Sequence, residues 1–196
     1  GVACTMIGPE QLKELEPWVA GIQAIHVPEA GIVDYKEVCQ RLVKCIISKG
    51  GEVITKCQVK AIETQGQIVR VTCQSSVLES DYLINCAGLH SDRVARLSGS
   101  KPEAKIVPFR GEYYELKSRV HHLCRGLIYP VPDPEFPFLG VHFTRMVSGG
   151  VECGPNAVLA LAREGYRKTD INFRDFFESI TYPGFLRLAR KYWRVG

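Results

Sequence analysis

An α/β chain that passes into a mostly antiparallel, β-rich region is predicted by three observations. A capped amphipathic helix feeds extended runs of strand chemistry, an apolar run passes through Ala-Gly into a second helix, and prolines punctuate short extended runs after Lys105. Length and composition agree: 196 residues, 45% hydrophobic and 23% charged, suffice for one domain or two small ones with a real core.

Pro9 to Leu15 reads as a short helix stopped by Pro17, because the residue before a proline is pushed out of helical geometry. Trp18 to Ala30 is irregular. Asp34 and Glu37 have capping-box spacing, and Val38, Leu42, Cys45 and Ile46 follow at i, i+4, i+7 and i+8. That predicts an amphipathic helix closing at Gly50-Gly51. Three extended runs come next, Glu52 to Ile54, Val59 to Thr64 and Ile68 to Cys73, the last two joined by a Gln65-Gly66 turn. A polar patch at Gln74 to Ser76 leads to Tyr82-Leu83-Ile84, short and apolar enough for a buried strand. Its end, Asn85-Cys86-Ala87-Gly88, opens onto a helix through Ser91 to Leu97.

Beyond Lys105 the extended runs are Phe109 to Leu116, Leu127 to Val131, Leu139 to Thr144 and Val151 to Gly154. Prolines at 108, 130, 132, 134 and 137 suit strand ends and edges better than continuous helix. Phe173 to Ile180 and Pro183 to Trp193 return to helical spacing, with Pro183 tolerated in a first turn.

The net charge of +4 is spread along the chain, which argues against nucleic acid and suits an anionic small substrate. None of the eight cysteines forms C-x-x-C, and several sit in apolar patterns. They read as reduced, mostly buried small hydrophobes in a reducing compartment. The chain opens Gly1-Val2-Ala3-Cys4 with no Met, so the natural protein is expected to begin upstream; no secretory signal or membrane span is read. His121-His122-x-Cys124 offers metal-ligand types without a second pair at matching spacing, so no metal is expected. The basic amphipathic tail Phe185 to Arg194 suits a membrane surface or, the preferred reading, packing on its own domain.

The segment Leu83 to Asp92 is the first candidate site. In open α/β sheets ligands lie outside the carboxyl ends of strands, and Gly88 removes a Cβ that would block a cofactor. Ser91 or Asp92 can cap the following helix, whose free N–H groups favour an anion; a purely structural turn is the other reading. Arg110, entering the β-rich region, has the fork for a substrate carboxylate, against the alternative of a surface ion-pairing arginine. Alternation puts His142 and Thr144 on one face and Val141, Phe143 and Arg145 on the other. His142 then either accepts a hydroxyl proton or serves as a hydrogen-bonded structural histidine. Tyr113 and Asn156 stand on neighbouring strands as orienting groups.

Val59-Lys60-Ala61-Ile62, the hairpin, Asn85 to Asp92 and Pro108-Phe109-Arg110-Gly111-Glu112-Tyr113-Tyr114 resemble the middle of the FAD-dependent D-amino acid oxidase superfamily. Ile128 to Pro134, Phe136 to Thr144, Gly154-Pro155-Asn156-Ala157 and Arg163-Glu164-Gly165-Tyr166 are similar to its L-2-hydroxyglutarate dehydrogenase branch. The resemblance implies a partial FAD-binding, Rossmann-like domain over residues 1–100. It also implies a mostly antiparallel substrate domain over 101–196, β-rich to about residue 170 and then helical. FAD is the implied cofactor, with Val59, Cys86, Ala87, Gly88 and Ser91 as its positions, met chiefly through main chain. The implied reaction oxidises L-2-hydroxyglutarate, a 2-hydroxy dicarboxylate, to 2-oxoglutarate, with electrons leaving toward a quinone or oxygen. The implied location is the cytoplasm, peripheral to the inner membrane, or the mitochondrion in a eukaryote. Relatives that oxidise amino acids or glycerol 3-phosphate, and a non-catalytic fragment or interaction module, are the alternatives. The chain departs from the family in lacking G-x-G-x-x-G and the acidic residue about 20 residues beyond it, and the family's glycine-rich C-terminal segment.

Overall fold

The computed structural model describes residues 1–135 and 138–193; Phe136 and Pro137 of the quoted motif and Arg194 of the tail lie outside the described residues. Two compact units divide the chain, residues 1–49 with 111–157 and residues 50–110 with 158–196. The functional division proposed from the sequence, near residue 100, falls inside the second unit.

In the first unit β1 (Thr5–Ile7) pairs antiparallel with β2 (Ala24–His26), with α1 (Pro9–Leu15) between them in sequence. Pro9 opens α1 at a position whose N–H has no helical partner in any case. β1 lies ahead of the first element read from the sequence and β2 in a stretch read as irregular, because three-residue pairings leave no periodic signal. The Glu16 carboxylate, just past α1, accepts from the amides of Arg125 at 2.9 Å and Gly126 at 2.5 Å. α2 (Tyr35–Ser48) is capped by Asp34, which accepts from the Lys36 and Glu37 amides at 2.8 and 3.4 Å. Glu37 does not close the box; it pairs with Arg41 at 3.5 Å. α2 buries no residue, so Val38, Leu42, Ile46 and Ile47 present apolar surface. This also corrects the expectation of mostly buried cysteines. All eight are free, but only Cys73 and Cys124 are buried, since Cys39 and Cys45 sit on uncovered α2.

The antiparallel region is a sheet of β6 (Phe109–Glu115), β7 (Leu127–Ile128), β8 (His142–Arg145) and β9 (Val151–Leu159), in the order β6-β9-β8-β7. β7 stops well before Val131 because Pro130 and Pro132 cannot donate to a ladder. β9 runs past Gly154-Pro155, which read as a strand end. Gly154 belongs inside the strand because a Cβ there would stand 2.7 Å from the Tyr113 ring. His142 pairs with Gly154, and Thr144 lies between Leu127 and Glu152. Alternation therefore sets His142, Thr144, Leu127 and Glu152 on one face. Phe143 with Ile128 and Cys153, and Arg145 with Val151, share the other. Val151 and Cys124 are the most deeply buried apolar residues of this unit, joined by Ile7 and Leu12.

The second unit is built on an antiparallel meander of β3 (Val59–Gln65), β4 (Ile68–Cys73) and β5 (Val77–Ser80), with Gly66 at φ +64 making the first turn. Ile62 and Val71, partners in register, are buried, and α3 (Ser91–Leu97) packs on β3. α4 (Phe173–Ile180) starts at Asn172, whose side chain accepts from the Asp175 amide, and packs against α5 (Pro183–Tyr192). The strands expected at Glu52–Ile54 and Tyr82–Ile84 are absent among the described residues. Tyr82 and Ile84 are 87% and 82% exposed, with no described strand beside them to take their backbone hydrogen bonds. β5, Val77-Leu78-Glu79-Ser80, takes the edge of β4 instead, where Arg70 and Glu79 face each other at 2.8 Å. No helix among the described residues is long and apolar enough to cross a membrane.

Truncating Val151, 0% exposed, to Ala is expected to cost about 2 kcal/mol, while Ile22→Ala, at a residue 89% exposed, stays within about 0.5 kcal/mol. Urea denaturation of the two variants checks this. Equal effects would place the first unit's core elsewhere.

Candidate functional site

Residues 85–92 form a turn made by two side chains and a glycine. Asn85 accepts from the Ala87 amide at 3.1 Å through Oδ1 and donates from Nδ2 to the Ser91 carbonyl at 2.8 Å. Gly88 takes φ +52, a left-handed conformation that side-chain-bearing residues rarely adopt, and starts a 3₁₀ turn through His90 that runs into α3. Helical geometry thus begins before Ser91. Neither Ser91 nor Asp92 caps α3, and His90, in the capping position, offers no side-chain bond.

Cys86, Ala87 and Gly88 are exposed, and no atom lies within 4 Å of where a Gly88 Cβ would stand. The main chain is open here, and a side chain at position 88 would project into that open space. Val59, paired with Cys73 at the start of β3, is half-buried in the same unit. These residues fit a cofactor gripped through main chain.

Asp92 is instead buried against Arg163. Both guanidinium nitrogens reach its carboxylate, Nη2 at 2.9 Å, and Nη1 also donates to the Leu89 carbonyl at 2.6 Å. The Arg163 amide donates to Asp175 at 2.8 Å, and Arg93 of α3 pairs with Asp175 and Glu178 of α4 at 2.5 and 2.8 Å. Hydrogen bonding from Arg163 is the main cause that pulls Asp92 down to about 2. Burial opposes the charged forms of Asp175 and Glu178, yet both end below the usual carboxylate range. The Arg163 amide and Arg93 do this for Asp175, and Arg93 and Arg174 for Glu178.

The sheet of the first unit carries the substrate candidates. His142 is 8% exposed, its Nδ1 lies 3.0 Å from the Gly140 carbonyl, and Tyr129 stacks on its ring at 4.6 Å. A carbonyl only accepts, so Nδ1 carries the hydrogen, and Nε2 is the ring nitrogen left to face a ligand. Among the described residues Nε2 has no partner. Thr144, half-buried, shares its face. Asn156 accepts the Glu112 amide at 3.1 Å through Oδ1, which leaves its amide nitrogen as a donor. The Tyr113 ring, half-exposed, lies over Gly154.

Arg110, on β6 in the second unit, donates from Nη1 to the carbonyls of Gly165 at 3.3 Å and Arg167 at 3.2 Å. These two main-chain carbonyls help orient the side chain. His121 bonds the Leu116 carbonyl at 2.8 Å, His122 meets Trp18 edge-on, and the Cys124 thiol donates to the Gly126 carbonyl at 3.3 Å. Each of these metal-ligand types is thus engaged separately.

A family model described as FAD dependent oxidoreductase, DAO, matches residues 1–194. The chain belongs to this family. Among curated proteins it is 50% identical over 188 residues to the L-2-hydroxyglutarate dehydrogenase of Indibacter alkaliphilus, covering 95% of this chain and 47% of that protein. The Escherichia coli K12 protein of the same name is 42% identical over 197 residues, covering 100% and 47%. The mitochondrial human one is 41% identical over 203 residues, covering 97% and 44%. The chain therefore spans about half the length of these relatives. Among solved structures, glycine oxidase from Bacillus cereus superposes with a TM-score of 0.61 at 15% identity, covering 98% of this chain and 48% of that one, which supports the DAO fold.

Sequence reasoning missed Arg163 as the partner of Asp92, and Tyr129 as the neighbour of His142. The first pair is 71 residues apart and leaves no local signal. Asn85 had one, since Asn two residues before a free amide is Asx-turn chemistry.

Asp92 sits at about 2 in the fold against an ordinary 3.8. Its contribution to stability is complete above the ordinary value and is lost as pH falls from about 4 toward about 2, amounting to about 2 kcal/mol. Denaturation midpoints followed over that window are expected to fall steeply for the unaltered chain and more gently for Asp92→Asn; parallel curves would contradict the pairing.

Proposed function

We propose that this chain is the central portion of an FAD-dependent dehydrogenase that oxidises L-2-hydroxyglutarate to 2-oxoglutarate. The observation that carries the reading is its identity, over nearly its whole length, to relatives bearing that activity in their names. Its functional domains divide near residue 100, with Val59, Cys86, Ala87, Gly88 and Ser91 toward the cofactor. The exposure of Cys86, Ala87 and Gly88 supports that assignment.

Converting a secondary alcohol to a ketone removes a hydride from carbon and a proton from oxygen. Bound FAD supplies the two-electron acceptor for the hydride. In this reading His142 Nε2 takes the hydroxyl proton, since Gly140 and Tyr129 fix both its tautomer and its ring plane. Thr144, Asn156 and Tyr113 orient the substrate by hydrogen bonds. Arg110, steadied by two main-chain carbonyls, provides the fork for a carboxylate. Electrons then pass to a quinone or oxygen, in a protein peripheral to the bacterial inner membrane or, in a eukaryote, in the mitochondrion. The uncovered apolar faces of α2 and of Tyr82–Ile84 favour a second reading, in which the chain is catalytic only after complementary segments cover them.

Steady-state turnover with an artificial dye acceptor tests the proposal, with 2-oxoglutarate measured as product. Product is expected from the L substrate and not the D form, and His142→Asn is expected to lower kcat by about 10²- to 10⁴-fold. Wild-type kcat in that variant would remove His142 from the chemistry. Turnover of the D form would overturn the substrate assignment, and no turnover at all would favour the second reading.

A further inference from the structure

A guanidinium withdrawn from water is costly unless its donors are satisfied by well-placed acceptors. Arg163 is 4% exposed, and two of its acceptors belong to a single turn: the Asp92 carboxylate and the Leu89 carbonyl. A purely stabilising ion pair needs only the carboxylate. The 2.6 Å bond to Leu89 reaches main chain directly after Gly88, the residue whose φ of +52 shapes the exposed backbone at 86–88. Asn85 ties the other side of the same turn through the Ala87 amide and the Ser91 carbonyl.

We infer that Arg163 is a positioning residue for the cofactor turn, holding the main chain of Cys86, Ala87 and Gly88 in its ligand-receptive shape without touching the ligand. This rests on the cofactor reading of that turn given above. Arg163 is itself held from outside the turn, by its amide bond to Asp175 of α4 at 2.8 Å, so the turn is braced by a buried charge and not by its own sequence alone. Arg93 provides the internal contrast. It belongs to the same network, but its guanidinium bonds go to Asp175 and Glu178 of α4 rather than to the turn. Loss of Arg93 removes network stability, and loss of Arg163 removes stability together with the turn's shape.

The test compares Arg163→Gln, Arg163→Lys and Arg93→Gln in the 196-residue chain. FAD affinity is read by flavin fluorescence well below each variant's Tm, and amide hydrogen exchange is read over residues 86–92. Arg163→Gln is expected to raise the Kd for FAD about tenfold or more and to speed exchange of these amides about tenfold. Arg163→Lys, which keeps the charge but not the fork, is expected to fall between it and the unaltered chain. Arg93→Gln is expected to lower Tm and change neither readout. If Arg163→Gln fails to fold, Arg163→Lys carries the test, and weaker FAD binding in it supports the assignment. Unaltered affinity or exchange in the Arg163 variants, or equal weakening by Arg93→Gln, overturns it. An unaltered chain that binds no FAD overturns the cofactor reading itself, and this assignment with it.

Discussion

The buried pairing of Arg163 with Asp92 is the interaction on which the second unit depends. It joins the start of α3 to the segment after β9, 71 residues away, which in turn is held to the start of α4. Charges so little exposed persist only when each finds several partners, and here carboxylates, a carbonyl and an amide interlock. The network has one loose end, since Arg93 Nε is buried without a hydrogen-bond partner among the described residues. The apolar contribution beside it is small: among the described residues of this unit, Ile62, Val71, Cys73, Pro108 and Ala160 are the buried apolar ones. Polar pairing therefore ties α3 and α4 to the segment that carries Arg163.

The first unit reaches its arrangement by another route. Its sheet places His142 directly opposite Gly154, and the lack of a side chain at Gly154 lets the Tyr113 ring lie close. A residue with a Cβ at that point would push the ring away, disturbing Tyr113 and the neighbouring Asn156 together. The Gly140 carbonyl and the Tyr129 ring then fix the imidazole from its own strand end and from the segment after β7. Chemistry and packing coincide here: the same register that buries Val151 on one face carries His142 and Thr144 on the other.

Local punctuation was readable in the sequence, and partnership was not. Proline at 9 and 17, Asp34 before a periodic run, and Gly66 between alternating runs delimit α1, α2 and the β3–β4 hairpin because each acts through its own backbone. Alternation likewise separated His142 and Thr144 from Phe143 and Arg145. Tyr82–Ile84 failed for the opposite reason: an apolar run signals a wish for burial but not what is available to bury it, and no described strand lies alongside. Ser91 failed as a cap because the positive φ of Gly88 starts helical geometry three residues earlier. The carbonyls that Arg110 meets and the Leu89 and Asp92 groups that Arg163 meets were not legible, since they lie 55 to 74 residues away.

The same distinction governs what the chain does by itself. α2 is well capped and amphipathic yet buries nothing, so its apolar face is a surface prepared for contact. The turn at 86–92, by contrast, is tied within its own unit by Asn85 and Arg163. The most direct test of the account is an absorption spectrum of the chain after incubation with FAD and desalting, followed by L-2-hydroxyglutarate without oxygen. A retained flavin band that bleaches with the L substrate and persists with the D form is the predicted result; a chain that retains no flavin, or a band unmoved by the L substrate, would contradict it.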